Sequence, residues 1–269
     1  MNIAESSSNE QVIRHLSPSS ASTFRQCPRR WKFRYIDHLP DPKGVPALLG
    51  TFVHRILEEL MLLSASERTN QFARNIAREI WPEIADDPDF KALLLDDEGT
   101  RAFRWQAWNL MESYFEMEDP QQVDVLAAEQ RLEVDLMGVP FLGIVDRTER
   151  IENGLRVTDF KTGKAPQNRY LDDKLSQVWL YAAALEAVDQ PVSEVRLMYL
   201  TGKFIDRKLD DAAVENAVNR HFLTWKSIGN CISDSRFDYK LGPLCNWCPY
   251  TDSCPQGLAE AERRYGPRF

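Results

Sequence analysis

Gly143–Gly163 reads GIVDRTERIENGLRVTDFKTG, and the reading of this stretch decides the fold of the chain. Two strand-like runs flank Asn153-Gly154, the strongest short hairpin signal, because a type I′ turn needs positive φ at both central residues. Glycine takes that conformation freely and asparagine more readily than most residues. With the turn there, Glu152 faces Leu155, Thr148 faces Asp159 and Asp146 faces Lys161. Facing residues, and residues two apart on one strand, share a side of the sheet. Asp146, Asp159 and Lys161 are therefore expected on one face, their Cβ atoms about 5–8 Å apart. Two carboxylates and an amine so placed form a candidate divalent-metal site. Hard cations such as Mg²⁺ take carboxylate and phosphate oxygens, and a lysine can orient water or offset charge on a phosphate. A solvated ladder of alternating charges is the other reading of the same residues.

The chain has 269 residues, enough for one large domain or one plus an appendage. Its 43% hydrophobic and 28% charged content is ordinary for a soluble globular protein. No apolar run approaches a membrane span. The opening MNIAESSSNEQ lacks the basic-then-apolar order of a secretory leader, so a cytoplasmic location and no membrane partner are expected. A net charge of −8 is not the basic footprint of most nucleic-acid binders, although local clusters and metal ions still draw phosphates to acidic proteins. One basic cluster comprises Arg25, Arg29, Arg30, Lys32 and Arg34, interleaved with Phe24, Trp31, Phe33 and Tyr35. It reads as a DNA-holding helix or as an amphipathic helix with a solvated basic face.

In chain order, residues 1–14 read as a flexible tail. Ser17-Pro18 starts a helix, with serine as cap and proline at the first helical position. Pro28 ends or kinks it. A second basic helical stretch, RRWKFRYI, precedes a loop, LPDPKGVP. Gly50–Leu63 carries Val53, Ile56, Leu57, Leu60 and Leu63 at helical spacing. His54 sits beside that stripe, as a metal ligand or as an ordinary structural histidine. Helices are expected over 68–81 and 97–118, an insertion that walls or lids the site. A strand over Val123–Leu136 turns at Met137-Gly138 into Val139–Arg150. A two-residue turn there sets Glu129 opposite Asp146, whereas a bulge at Gly138 breaks that register. After the hairpin, a helix over Leu171–Val188 puts Gln177 and Tyr181 on one face, either at a site or at the core edge. Strands over Glu194–Leu200 and Phe204–Leu209 and a helix over 211–228 follow. The strand–helix–strand step implies a crossover and a mixed sheet, and helices on both faces make a three-layer α/β/α core. The expected divisions are the tail 1–14, a core over 15–240 with its helical insertion at about 68–118, and a Cys-rich segment over 241–269.

Cys245, Cys248 and Cys254 form C-x2-C-x5-C, with Cys27 far upstream and Cys231 apart. Disulfides are not expected in a cytoplasmic chain. A C-x2-C turn instead aims two thiolates at one metal or cluster. Cys27, Cys248 and Cys254 each precede a proline, and ferredoxin-type cysteine runs also carry a Cys-Pro. Zinc and iron–sulfur both remain open, since zinc ribbons normally use two C-x2-C pairs and this chain has one. With Cys27 as fourth ligand, either metal clasps the two chain ends together.

Four short motifs occur in order: G-x-x-x-H at Gly50–His54, G-I-V-D at Gly143–Asp146, D-F-K-T-G at Asp159–Gly163 and Q-x-x-x-Y at Gln177–Tyr181. With the flanking cysteines, the sequence resembles over nearly its whole length the RecB-like exonucleases of the PD-(D/E)xK superfamily. These include CRISPR-associated members and the nuclease domain of AddB-type helicase–nucleases. The resemblance implies a restriction-endonuclease-like α/β/α core and metal-dependent DNA exonuclease activity in repair or recombination. It implies that His54, Asp146, Asp159 and the backbone carbonyl of Phe160 bind Mg²⁺ or Mn²⁺, and that Lys161 orients the attacking water. It gives Gln177 and Tyr181 a supporting role with contacts to DNA. Cys27, Cys245, Cys248 and Cys254 would hold a structural 4Fe–4S cluster, with Zn²⁺ the alternative. DNA, single-stranded or with free ends, is the expected partner, alongside a helicase or CRISPR chain. The competing function is a non-catalytic DNA-binding or assembly subunit of a helicase–nuclease or CRISPR adaptation complex.

Overall fold

The computed structural model describes residues 13–167 and 171–267. Most of the tail expected over 1–14 lies outside the described residues. Ser17 caps α1 (Pro18–Gln26), its hydroxyl accepting the Ser20 N–H at 3.2 Å. Cys27 is extended and Pro28 opens α2 (Pro28–Tyr35). α3 spans Val45–Leu62, so the loop expected through Pro46 ends earlier. Pro46 sits in the first helical turn, where a missing N–H breaks no bond, and Leu48 is already fully buried. A short 3-10 turn at Ala65–Glu67, closed by a Ser64/Glu67 capping box, leads to α4 (Asn70–Asp86), α5 (Pro88–Ala92) and α6 (Asp97–Met117). α4 runs through Pro82 rather than stopping at residue 81. Ala73, Ile76, Ile80 and Ile84 form one buried stripe across it, and that burial offsets the lost hydrogen bond.

Five strands form one sheet among the described residues: β1 (Asp124–Leu136), β2 (Val139–Ile151), β3 (Gly154–Lys161), β4 (Val192–Tyr199) and β5 (Lys203–Lys208), in that spatial order. α7 (Leu171–Glu186) carries the chain from β3 to its parallel neighbour β4, and the other pairs are antiparallel. The mixed sheet is the expected one. α8 (Asp211–Ser233) follows β5, and α9 (Pro255–Tyr265) follows the Cys-rich turns.

Two registers place the site. Met137 and Gly138 both take positive φ, 57° and 79°, in a two-residue turn. The β1–β2 ladder then keeps the expected pairing, with Ala128 opposite Arg147 and Gln130 opposite Val145, bracketing Glu129 and Asp146. The irregularity in that ladder lies at Val125/Ala127, not at Gly138.

The β2–β3 hairpin departs from expectation. Ile151 pairs with Gly154 and Arg147 with Thr158, so the turn is Glu152-Asn153 and the register moves by two residues. Gly154 alone of the Asn-Gly pair has positive φ, at 131°. Its glycine answers a close approach rather than a type I′ turn. A Cβ there would lie 3.2 Å from Ser193 Oγ and 3.4 Å from the Pro191 carbonyl, which accepts the Leu155 N–H at 3.2 Å. A two-residue shift preserves which side each residue faces. Continued past Arg147 and Thr158, the ladder sets Asp159, not Lys161, opposite Asp146.

On one face of the sheet, α3, α4 and α6 bury Phe52, Ile56, Phe103 and Met111 against Phe160 and Met198. On the other, α7 and the start of α8 bury Val178, Leu185 and Val218 against Val157, Val195 and Leu197. This is the three-layer α/β/α arrangement. The chain divides into two compact units, one of Pro42–Phe222 and one of Met1–Asp41 with Leu223–Phe269. In the second unit Trp31 is fully buried, edge-on to Phe24 and stacked on Phe237, and its indole N–H donates to Ser20 Oγ at 2.9 Å. Trp31 therefore builds a core instead of standing ready for bases. No helix among the described residues is long and apolar enough to cross a membrane.

Candidate metal centre

α3, β1 and β2 each contribute one ligand-type side chain to a common point. His54 Nδ1 lies 3.5 Å from Asp146 Oδ1 and 3.9 Å from Glu129 Oε1. Donor atoms of all three fall within 4.8 Å of one another, the one such group among the described residues. They line an open cleft of about 520 Å³ together with Gly50, Arg55 and Thr162. Glu129 takes a φ of 46° inside β1, a conformation that costs a non-glycine residue about 1–3 kcal/mol. Its carboxylate nonetheless joins the group.

Asp146 has a second task. Its Oδ2 accepts the Phe160 N–H at 2.6 Å, joining β2 to β3 just beyond their last ladder pair. On either side of Phe160, Asp159 is 1% exposed and its Oδ2 lies 2.6 Å from Lys161 Nζ. Lys161 donates to Gln177 Oε1 at 3.2 Å, and Gln177 Nε2 donates to the Tyr181 hydroxyl at 2.7 Å. The four-residue spacing on α7 thus reaches the lysine. Gly143 makes room for this chain of bonds. A Cβ there would sit 2.7 Å from the Phe141 ring and 2.8 Å from the Tyr181 ring.

The charges explain one another. Burial works against a proton on His54, but bonds to Asp146 and Glu129 outweigh it and push its pKa up to about 10. Burial pushes Asp159 up to about 6, with Asp146 adding to the shift and Lys161 and His54 opposing it. Burial likewise opposes the charge on Lys161, yet Asp159 beside it holds the amine above the usual lysine range. Burial first, and Asp146 beside it, thus disfavour the charge on Asp159, the condition that a divalent cation relieves. Asp159 Oδ2 has no hydrogen bond of good angle among the described residues despite its ion pair, which leaves a lone pair for a cation. One imidazole with several carboxylate oxygens fits such an ion.

The structure brings His54, Asp146, Asp159, Lys161, Gln177 and Tyr181 together. Phe160 is buried, its ring edge-on to His54 at 6.3 Å. Glu129 was outside the expected ligand set, although the β1–β2 register already pointed to it. Sequence reasoning missed Arg147 altogether. It is fully buried, with its guanidinium 2.5 Å from Glu118, 2.6 Å from Glu149 and 5.4 Å from the Phe160 ring centroid. Arg196 joins Glu118 at 3.3 Å, and Arg156 joins Glu149 at 2.9 Å. No sequence spacing marks this network, because its partners come from a helix end and three strands.

The four cysteines of the expected cluster are free thiols in the second unit. Cys27 Sγ accepts the Lys240 N–H at 3.4 Å, and Cys254 Sγ accepts the Gly257 N–H at 3.3 Å. Burial raises the Cys248 thiol pKa, and neighbouring Cys27 and Cys245 raise it further. In the basic stretch, Arg34 pairs with Asp41 and Lys32 with Asp37. Arg30 bonds Gln26, Arg25 bonds Thr224, and the Arg29 backbone N–H donates to the Asp238 carbonyl. The charges of Lys32 and Arg34 are therefore engaged in local ion pairs.

Comparison with known proteins bears on this geometry. Residues 15–255 match the model of the PD-(D/E)XK nuclease superfamily. A crystal structure of a provisionally assigned exonuclease from Eubacterium rectale aligns with a TM-score of 0.59 at 12% identity, covering 93% of each chain. At that identity the likeness speaks to the fold alone. The crystal structure of SSO0001 aligns with a TM-score of 0.41 at 15% identity over 92% of this chain and 89% of that one. No curated protein matches the sequence.

Proposed function

The chain belongs to the PD-(D/E)XK nuclease superfamily, and from that premise we propose that it is a Mg²⁺- or Mn²⁺-dependent DNA exonuclease acting in repair or recombination. The observation that carries this reading is the convergence of His54, Glu129 and Asp146 within 4.8 Å. Asp146 is tied to the backbone between Asp159 and Lys161. In this reading His54, Glu129, Asp146, Asp159 and the Phe160 carbonyl hold the cation, which when bound supplies Lewis acidity at the scissile phosphate. Lys161 orients the attacking water and offsets negative charge as it grows on the phosphate. Gln177 fixes the lysine amine, Tyr181 fixes Gln177, and the absence of a side chain at Gly143 keeps Tyr181 in place. The open cleft suits a strand end, single-stranded or frayed. Lys161→Ala tests the assignment: cleavage is abolished while the melting temperature stays near that of wild type. Wild-type-like degradation by that variant contradicts it.

Cys27, Cys245, Cys248 and Cys254 are read as ligands of a structural 4Fe–4S cluster, as in AddB-type and CRISPR-associated nucleases, with a helicase or CRISPR chain as partner. What supports the cluster over zinc is the cysteine pattern: one C-x2-C pair where zinc ribbons normally use two, and a proline after each of Cys27, Cys248 and Cys254, as in ferredoxin-type runs.

A further inference from the structure

Four arginines meet on the helical layer, away from the metal-site residues. Arg74 and Arg78 are four apart on α4, and Arg101 and Arg104 are three apart on α6, spacings that put each pair on one helix face. With Trp105 and Trp108 they line a groove of about 290 Å³ that Phe52 and Ile56 of α3 also line. Among the described residues no carboxylate lines it, although the chain carries a net charge of −8. Glu112 bonds Arg74 at 3.2 Å. The Arg74 guanidinium lies 4.1 Å from the Trp108 ring centroid, and that of Arg104 lies 4.9 Å from that of Trp81. A guanidinium over an aromatic ring presents its N–H groups in its own plane, where they can fork onto phosphate oxygens; Arg74 donates two of its own to Asn70 and Glu112, and Arg78 one to Asn75. Trp105 is 63% exposed beside them.

We propose that this groove binds single-stranded nucleic acid, with phosphates on Arg78, Arg101 and Arg104 and a base stacked on Trp105. Cations alternating with an open indole match the alternation of phosphate and base. An acidic peptide supplies the charge without the ring. The groove is also placed to serve the metal centre. Phe52 and Ile56 line the groove, while Thr51, His54 and Arg55 line the metal cleft, so the two flank different faces of α3. A helix is about 10 Å across, which a strand spans in a few nucleotides. The groove is a track that holds the strand while its end is cut. The proposal rests on the nuclease reading for that role and on its own residues for binding.

The test titrates fluorescein-labelled oligo-dT against the full chain with metal withheld. Trp105→Ala and the double variant Arg101→Ala/Arg104→Ala are measured beside wild type. All three residues are exposed, and thermal melting checks that each variant is folded. Trp105→Ala is expected to weaken binding about 10-fold. The arginine variant is expected to weaken it and to flatten the dependence on log salt by about 0.7 for each phosphate it no longer neutralises. Iodouracil photocrosslinking is expected to label the peptide containing Trp105. Hydrolysis of a dinucleotide, too short to reach the groove, stays at the wild-type rate in both variants. Wild-type affinity and salt slope in both variants overturn the proposal, as does equal competition by polyglutamate. If wild type binds through these residues but never cleaves, the nuclease reading falls and the groove stands. If it cleaves while the variants bind unchanged, the groove falls and the nuclease reading stands.

Discussion

The carboxylate of Asp146 accepts the backbone N–H of Phe160 at 2.6 Å while its other oxygen lies 3.5 Å from His54. One side chain thus both faces His54 and ties down the backbone between Asp159 and Lys161, and the proposed function gives it a ligand's role as well. The two tasks separate by substitution. Asp146→Asn keeps an acceptor for Phe160 but loses the charge. It is expected to melt near wild type, bind Mn²⁺ poorly by calorimetry and lose activity by about 100-fold or more. Asp146→Ala loses the bond as well and is expected to cost about 1.5–3 kcal/mol in urea unfolding. Equal stability of the two variants would contradict the double role.

In the proposed reading, metal binding is coupled to two protons. In the metal-free protein His54, raised to about 10, contributes stability that is present below its unfolded value and lost as pH rises through about 10. Asp159, raised to about 6, has the same sign: the fold favours its protonated form, and that contribution is lost as pH rises through about 6. A cation needs both groups deprotonated. The gain in melting temperature on adding Mn²⁺ is therefore larger at pH about 8 than at pH about 5. Equal gains at the two pH values would count against His54 and Asp159 as ligands.

Gly143→Ala puts a Cβ 2.8 Å from the Tyr181 ring. It displaces the hydroxyl that steadies Gln177 and, through it, Lys161. The expected outcome is a kcat lowered about 10-fold at unchanged metal affinity, with a loss of about 1–3 kcal/mol from overpacking. Loss of metal affinity instead of kcat would show that Tyr181 acts elsewhere.

Arg147→Ala removes the buried cation that Glu118 and Glu149 share, leaving them only Arg196 and Arg156, and is expected to cost about 3–5 kcal/mol. Burial alone would raise Glu118, but its bond to Arg147 holds its pKa below the usual glutamate range. Its contribution is present above the unfolded value and lost as pH falls through the folded one. Urea unfolding across acid pH should therefore show a steeper loss in wild type than in Arg147→Ala.

The fold was legible because its signals are local. Ser17-Pro18, the helical stripe around Ile56 and the turn at Met137-Gly138 each depend on near neighbours, and all form as read. The β2–β3 register was not, because the Asn-Gly signal assigns Gly154 to a turn while Pro191 and Ser193, far along the chain, claim it for a close approach. The same shift by two residues left Asp146 and Asp159 on the right side of the sheet, so the site survived a wrong pairing. Glu129 was visible through the β1–β2 register but not through any motif. Arg147 and Glu149, two apart on β2, look like any polar pair of a strand, and the acids and arginines that bury them, Glu118, Arg156 and Arg196, come from elsewhere in the chain.

The cysteine assignment has its own measurement. Protein purified without oxygen is expected to be brown and to carry about four irons per chain with matching sulfide, and Cys254→Ser to lose both. Stoichiometric zinc in their place would contradict it.

The central claim is that the cluster of Asp146, Asp159 and Lys161 hydrolyses DNA from an end. The most direct test is digestion of 5′- and 3′-labelled DNA with Mn²⁺ by wild type and Lys161→Ala. Wild type is expected to release label from one end first, and Lys161→Ala to release none. Equal release by both proteins, or no release by metal-loaded wild type from single- or double-stranded DNA, would contradict it.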